Sequence, residues 1–148
     1  MNPEHLRILL ADDDLDDCFL FKEALGEFCL PVSFTIVNDG EQLMRLFEKK
    51  EALPHVVFLD MNMPRKNGFE CLEEIKRTEK LKSIPVILFS TSFDQDIVNM
   101  LYQKGAQYYI QKPREFYKLK KAIHQALSLT VEKKFMQPAI DKFVLNNF

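Results

Sequence analysis

Val56-Val57-Phe58-Leu59-Asp60 runs four apolar residues, two of them β-branched, straight into a carboxylate. A continuous apolar run without polar alternation reads as a strand buried on both faces, the pattern of a parallel sheet covered by helices. A buried helix segment would read the same way. Pro54 before the run and Pro64 after it favour a short strand, because proline punctuates both ends. Asp60 then closes the strand at its carboxyl end, where open α/β sheets place their ligands.

The same logic extends along the chain. Arg7 to Ala11 is a second apolar run, ending in Asp12-Asp13-Asp14. Leu15, Cys18, Phe19, Phe21, Leu25 and Phe28 then recur at helical spacing, with Asp14 placed to cap the helix and Asp16 and Asp17 suited to its positive end. Val32 to Val37 alternates and is rich in β-formers, so it reads as a strand nearer an edge. Asn38-Asp39-Gly40 is a turn, and Glu41 to Lys50 a short helix with Leu43, Met44, Leu46 and Phe47 inward. Phe69, Leu72 and Ile75 carry a helix to about Arg77.

Pro85 to Phe89 is a fourth strand, ending in Ser90-Thr91-Ser92. Asp94 to Lys104 is a helix with Gly105 placed for its C′ position. Ala106 to Gln111 is a fifth strand, followed by Lys112-Pro113. Glu115 to Leu129 is a last helix with Phe116, Leu119, Ile123, Ala126 and Leu127 inward.

Strands alternating with helices in this way predict an α/β fold: a doubly wound, five-stranded parallel sheet of flavodoxin-like order 2-1-3-4-5, with helices on both faces. The most apolar strands would be central. Their carboxyl ends then bring Asp12, Asp13, Asp60 and Ser90 side by side.

Composition narrows the function classes. Lys and Arg number 20 against 22 Asp and Glu, so no basic excess points to nucleic acid. No apolar run approaches the ~20 residues that span a bilayer, and the start Met1-Asn2-Pro3-Glu4-His5 lacks the basic region of a signal peptide. Cys18, Cys29 and Cys71 are odd in number, lie among apolar residues and have no zinc-site spacing. They read as buried free thiols of a cytoplasmic protein.

Three carboxylates crowded at one end of a sheet repel unless a cation neutralises them. An all-oxygen set suits a hard divalent ion such as Mg²⁺. With the Ser90 hydroxyl and the Lys112 ammonium, the cluster could hold a phosphoryl group in transfer to Asp60, since an aspartate can become an acyl phosphate. Each residue alone has a plainer reading as a cap, turn or solvated group; the combination at the ends of four strands is what points to this chemistry.

These residues carry a resemblance. Ile8 to Asp14, Leu59-Asp60-Met61-Asn62-Met63-Pro64 with Gly68, Pro85 to Ser90, and Tyr109-Ile110-Gln111-Lys112-Pro113 together resemble the receiver domain of two-component response regulators, of the stand-alone, chemotaxis-regulator-like kind. The resemblance implies that Asp60 accepts a phosphoryl group from a sensor histidine kinase or a histidine phosphotransfer protein. It implies that Asp13, Asp60 and the Asn62 carbonyl ligate Mg²⁺, with Asp12 acting mainly through water. Ser90 and Lys112 would contact the phosphoryl oxygens, Tyr109 would change rotamer as Ser90 moves, and the Lys112–Pro113 peptide bond would be cis. Ser90 stands where threonine is commoner, and Asp14 where glutamate is frequent.

The resemblance covers residues 6–129 as the receiver domain. Residues 130–148 are read as a C-terminal tail, too short for a DNA-binding output domain. From Pro138 it could form a short helix with Ile140, Phe143 and Val144 on one face; the tail is expected to pack on its own domain or fray, with an interaction segment as the alternative. The chain is expected to be a phosphoacceptor signalling protein whose only chemistry is its own phosphorylation and dephosphorylation. It would have a downstream protein target, no direct nucleic-acid contact and no membrane insertion, and a homodimer is compatible with this reading. The competing reading is a Mg²⁺-dependent phosphatase or phosphotransferase with an aspartyl-phosphate intermediate. Such enzymes usually carry a second acid two residues after the nucleophile, where this chain has Asn62.

Overall fold

The apolar runs do become strands, and their uniform apolarity has a simple cause. In β3 (Val56–Leu59), Val57 and Leu59 face one core while Val56 and Phe58 face the other, so every position is buried. The computed structural model describes residues 5–49, 53–133 and 136–145. Around β3 lie β1 (Leu6–Ala11), β2 (Val32–Val37), β4 (Val86–Ser90) and β5 (Tyr108–Gln111), in the order β2-β1-β3-β4-β5 and parallel at every pairing. The predicted order and class are those observed. Among the described residues no helix is long and apolar enough to cross a membrane.

Among the described residues, five α-helices cover the two faces. α1 (Leu15–Ala24) and α5 (Phe116–Lys133) close the core of Ile8, Leu10, Phe58, Ile87, Phe89 and Ile110. Phe21 of α1 meets Phe58 and Phe89 edge-on at 4.8 and 5.4 Å, the geometry aromatic rings prefer. α2 (Gly40–Glu48), α3 (Gly68–Arg77) and α4 (Gln95–Gln103) close the other core, around Leu9, Val57, Leu59, Leu88 and Tyr109.

Local chemistry fixes where the helices begin. Asp14, Asp39 and Asp94 accept hydrogen bonds from the first-turn amides of α1, α2 and α4, and Asn67 forms a reciprocal capping box with Glu70. Gly105 follows α4 at φ +98°, a conformation that disfavours any side chain.

Several expectations need correction. Leu15 and Phe19 are 74% and 62% exposed; the buried side of α1 is Cys18, Phe21, Ala24 and Leu25. In α1 the charged Asp16, Asp17, Lys22 and Glu23 interleave with the apolar residues around the helix, so spacing alone does not single out the buried face. Phe116 is also exposed rather than inward, and Cys29 is exposed whereas Cys18 and Cys71 are buried. The predicted end of α2 at Lys50 lies outside the described residues. The Lys112–Pro113 peptide is trans, as no cis bond occurs among the described residues. Trans is the lower-energy isomer of an X–Pro bond by roughly 0.5–1 kcal/mol, and Lys112 reaches the acidic cluster with it.

The C-terminal segment packs on its own domain, but not as the short helix that its spacing allows. α5 runs on to Lys133, and residues 136–145 return along the outer edge of β5. The Tyr109 amide donates to the Phe143 carbonyl at 3.1 Å, and the Leu145 amide donates to the Tyr109 carbonyl at 2.9 Å. Phe143 is fully buried, edge-on to Tyr102 at 5.1 Å. The Tyr102 hydroxyl donates to the Pro138 carbonyl at 2.6 Å, and the Gln137 amide donates to the carbonyls of Tyr102 and Ala106. The expected helix shrinks to one 3₁₀ turn, Ile140–Lys142, and Ile140 faces solvent rather than sharing a face with Phe143. The unpaired edge of β5 offered backbone partners that a helix in the tail could not have used. The last tail residues, 146–148, lie outside the described residues.

Candidate functional site

Three strand ends build the site. Asp12 leaves β1 fully buried; its Oδ1 accepts the Asp14 amide at 3.0 Å, and its carbonyl accepts the Asn38 side-chain amide at 3.2 Å. Asp60 follows β3 with its amide on the Ala11 carbonyl at 2.9 Å, which fixes it beside Asp12. Its Oδ1 accepts the Asn62 amide at 3.3 Å, so Asn62 lies against the site through its backbone while its side chain is exposed. The loop after Asp60 folds back tightly: a Cβ at Gly68 would lie 2.4 Å from the Asp60 carbonyl oxygen, so only glycine fits.

Asp13 completes the acidic set from the exposed side. Asp12, Asp13 and Asp60 each offer a carboxylate oxygen, all within 4.8 Å of one another. That donor set, hard oxygens at an open strand end, fits a divalent metal ion. The electrostatics agree. Burial, helped by the neighbouring Asp12 charge and opposed by Lys112, pushes the Asp60 carboxyl up from 3.8 to about 7. A cation held by the cluster would draw this carboxyl back toward its ionised form.

Lys112 arrives from the end of β5, its amide donating to the Ser90 carbonyl at 2.7 Å. Its ammonium lies 2.8 Å from Asp12 Oδ2, 2.8 Å from Asp17 Oδ2 and 3.6 Å from Asp60 Oδ2, with the Phe89 ring 5.0 Å away. Burial works to lower its pKa, but the hydrogen bonds to Asp12 and Asp17 outweigh that and hold the ammonium above its ordinary range. Ser90 ends β4 fully buried, whereas Thr91 and Ser92 are exposed. The Ser90 hydroxyl shares a hydrogen bond of 3.2 Å with that of Ser92 and accepts the Ser92 amide at 3.3 Å. Tyr109 is buried, its hydroxyl donating to the Ser92 carbonyl at 2.5 Å and its ring edge-on to Phe93.

The structure therefore brings Asp12, Asp13, Asp60 and Lys112 into one cluster, with Asn62 at its rim. Ser90 and Tyr109 are linked to it through the β4–α4 loop and the backbone of Lys112. Sequence reasoning missed Asp17. Its charge was already explained by the helix dipole, so nothing local marked it as a partner of a lysine 95 residues away.

A sequence model of the response regulator receiver domain matches residues 8–124. The response regulator Rcp1 of Synechocystis sp. is 32% identical over 130 residues, covering 84% of this chain and 88% of Rcp1. A probable chemotaxis protein CheY of Rhizobium etli is 28% identical over 120 residues, covering 81% of this chain and 91% of that protein. The crystal structure of the Mn²⁺-bound form of Rcp1 aligns with a TM-score of 0.78 at 31% identity, over 90% of this chain and 99% of Rcp1. That of the phosphorylated cyanobacterial phytochrome response regulator RcpA aligns with a TM-score of 0.79 at 30% identity, over 91% of this chain and 99% of RcpA.

Proposed function

We propose that in this chain, which belongs to the response regulator receiver family, Asp60 is the phosphoacceptor of a signalling switch. The observation that carries the reading is the cluster itself: a buried carboxylate at a strand end, two further acids and one ammonium within a few ångströms. An Asp60 carboxylate oxygen attacks the phosphorus of a phosphohistidine on a histidine kinase or phosphotransfer protein. The P–O bond of an acyl phosphate forms, the P–N bond breaks, and the imidazole nitrogen leaves with the electron pair.

Asp13, Asp60 and the Asn62 carbonyl would hold the metal, with Asp12 acting through water. Mg²⁺ is the hard ion such a site suits; when bound it supplies charge neutralisation for the carboxylates and the transferring oxygens. Lys112 and Ser90 then donate to the phosphoryl oxygens, and their positions at the ends of β5 and β4 support those roles. Ser90 reaches Tyr109 through Ser92, so a shift at Ser90 is passed to α4, β5 and α5, the surface a downstream partner would read. Residues 6–129 form the receiver domain and the remainder a tail, in a cytoplasmic protein that works by switching rather than by turnover. The phosphatase reading is not favoured by relatives that are response regulators, nor by Asn62 in place of a second acid.

Intact-mass measurement after incubation with acetyl phosphate and Mg²⁺ tests the assignment. The wild-type protein should gain one phosphoryl group and Asp60→Asn none. Stoichiometric labelling of the variant would sink it.

A further inference from the structure

Lys112 does not rest on Asp60. Its Nζ is within hydrogen-bonding distance of Asp12 and Asp17, at 2.8 Å each, and beyond it for Asp60 at 3.6 Å. Two of its three protons are therefore committed elsewhere. We infer that Asp17 is a positioning residue, a second anchor that draws Lys112 toward α1 and competes with a phosphoryl group on Asp60 for its ammonium. This rests on the phosphoacceptor reading of Asp60 and deepens it.

The geometry says which partner yields. Asp12 has a side chain with no exposure, and stripping its contact would leave a buried, uncompensated carboxylate. Asp17 is 27% exposed, so water can replace the ammonium when Lys112 leaves. Its backbone stays fixed throughout, because its amide donates to the capping Asp14 carboxylate at 3.0 Å and not to its own side chain. The Asp17 carboxylate is thus held in place at the first turn of α1, as a detachable tether between that helix and the end of β5. Each time Lys112 turns to oxygens carried on Asp60, it gives up Asp17, and the strength of that contact opposes the phosphorylated state.

The neighbouring Asp16 provides the comparison. It is exposed and in the same helical turn, and its removal subtracts the same charge. A general relief of repulsion would make Asp16→Asn and Asp17→Asn alike. A competition for Lys112 makes them differ.

The test is the half-saturation point for beryllofluoride, the phosphoryl mimic, at saturating Mg²⁺, followed by amide chemical shifts. Asp17→Asn should tighten binding about fivefold, the scale of a partly exposed ion pair. Asp17→Glu, which keeps the charge, should stay within about twofold of the wild type, and so should Asp16→Asn. The proposal is overturned if Asp17→Asn binds no more tightly than the wild type, or if Asp16→Asn tightens binding equally. If the wild-type protein shows no saturable binding, the phosphoacceptor reading falls and this proposal with it, whereas binding that Asp17→Asn leaves unchanged removes this proposal alone.

Discussion

The carboxyl end of the sheet and the outer edge of β5 are held together by opposite means. At the sheet end, Asp12, Asp17 and Asp60 gather around the ammonium of Lys112, Asp13 adds a third carboxylate beside Asp12 and Asp60, and burial works against the charge on Asp60. At the β5 edge, residues 136–145 satisfy both backbone groups of Tyr109 and seat Phe143 in an apolar pocket beside Tyr102. The stability of the first region therefore depends on protons and cations. That of the second depends on apolar area and backbone pairing, which are insensitive to both. A switch needs one region whose energy the solution can change and a frame around it that holds still.

The largest expected effect breaks the frame. Phe143→Ala removes a fully buried ring, and a change of that kind costs about 3 kcal/mol. Urea unfolding should show that loss equally at pH 6 and pH 8, with or without Mg²⁺. A loss that depends on pH or metal would mean the tail is part of the charged region after all.

The next effect breaks the contrast from the other side. Asp60 titrates near 7 in the folded chain instead of 3.8, so between these values the native state binds more protons than the unfolded one. The group's contribution is then fully present below about pH 4 and is lost as pH rises through 7. Lys112 is shifted upward, so its own contribution lies well above this window. Metal-free wild-type protein should lose stability from pH 5 to pH 8, and Asp60→Asn should remove that slope, ending about 2 kcal/mol more stable at pH 8. Parallel pH profiles for the two proteins would contradict it.

The same contrast explains how much was legible in the sequence. β3 and β4 could be read because a strand buried on both faces has no polar positions, and the site could be read because each of its acids and its lysine follows such a strand. The tail and Asp17 escaped because their partners are distant in sequence. The local spacing of the tail allows a short helix, while the edge it pairs with lies more than 30 residues earlier. Asp17 has an adequate local reason to be acidic. Leu15 and Phe19 sit on a helix whose apolar and charged residues interleave on every side, so spacing cannot separate its buried face from its exposed one. The trans Lys112–Pro113 bond corrects an expectation that came from resemblance alone.

The smallest effect sharpens the comparison, because one residue belongs to both regions. Tyr109 sends its hydroxyl to the Ser92 carbonyl in the β4–α4 loop, and its backbone pairs with Phe143 and Leu145. If Ser90 is drawn toward a phosphoryl group, its hydrogen bond to Ser92 carries the movement to the Tyr109 hydroxyl. The tail then feels it only through a backbone that its own ladder resists. The two pairs that hold the ladder to Tyr109 should therefore loosen slightly rather than open. Beryllofluoride with Mg²⁺ should change the exchange rate of the Leu145 amide by less than about tenfold, equivalent to ~1.4 kcal/mol, while amides around Asp60 and Ser92 shift strongly. Tyr109→Phe, which lacks the hydroxyl, should abolish the change at Leu145 but not the shifts around Asp60. A Leu145 amide that does not respond in the wild-type protein would show that the tail braces β5 without sensing the site. One that exchanges freely would show instead that phosphorylation releases the tail and uncovers the β5 edge.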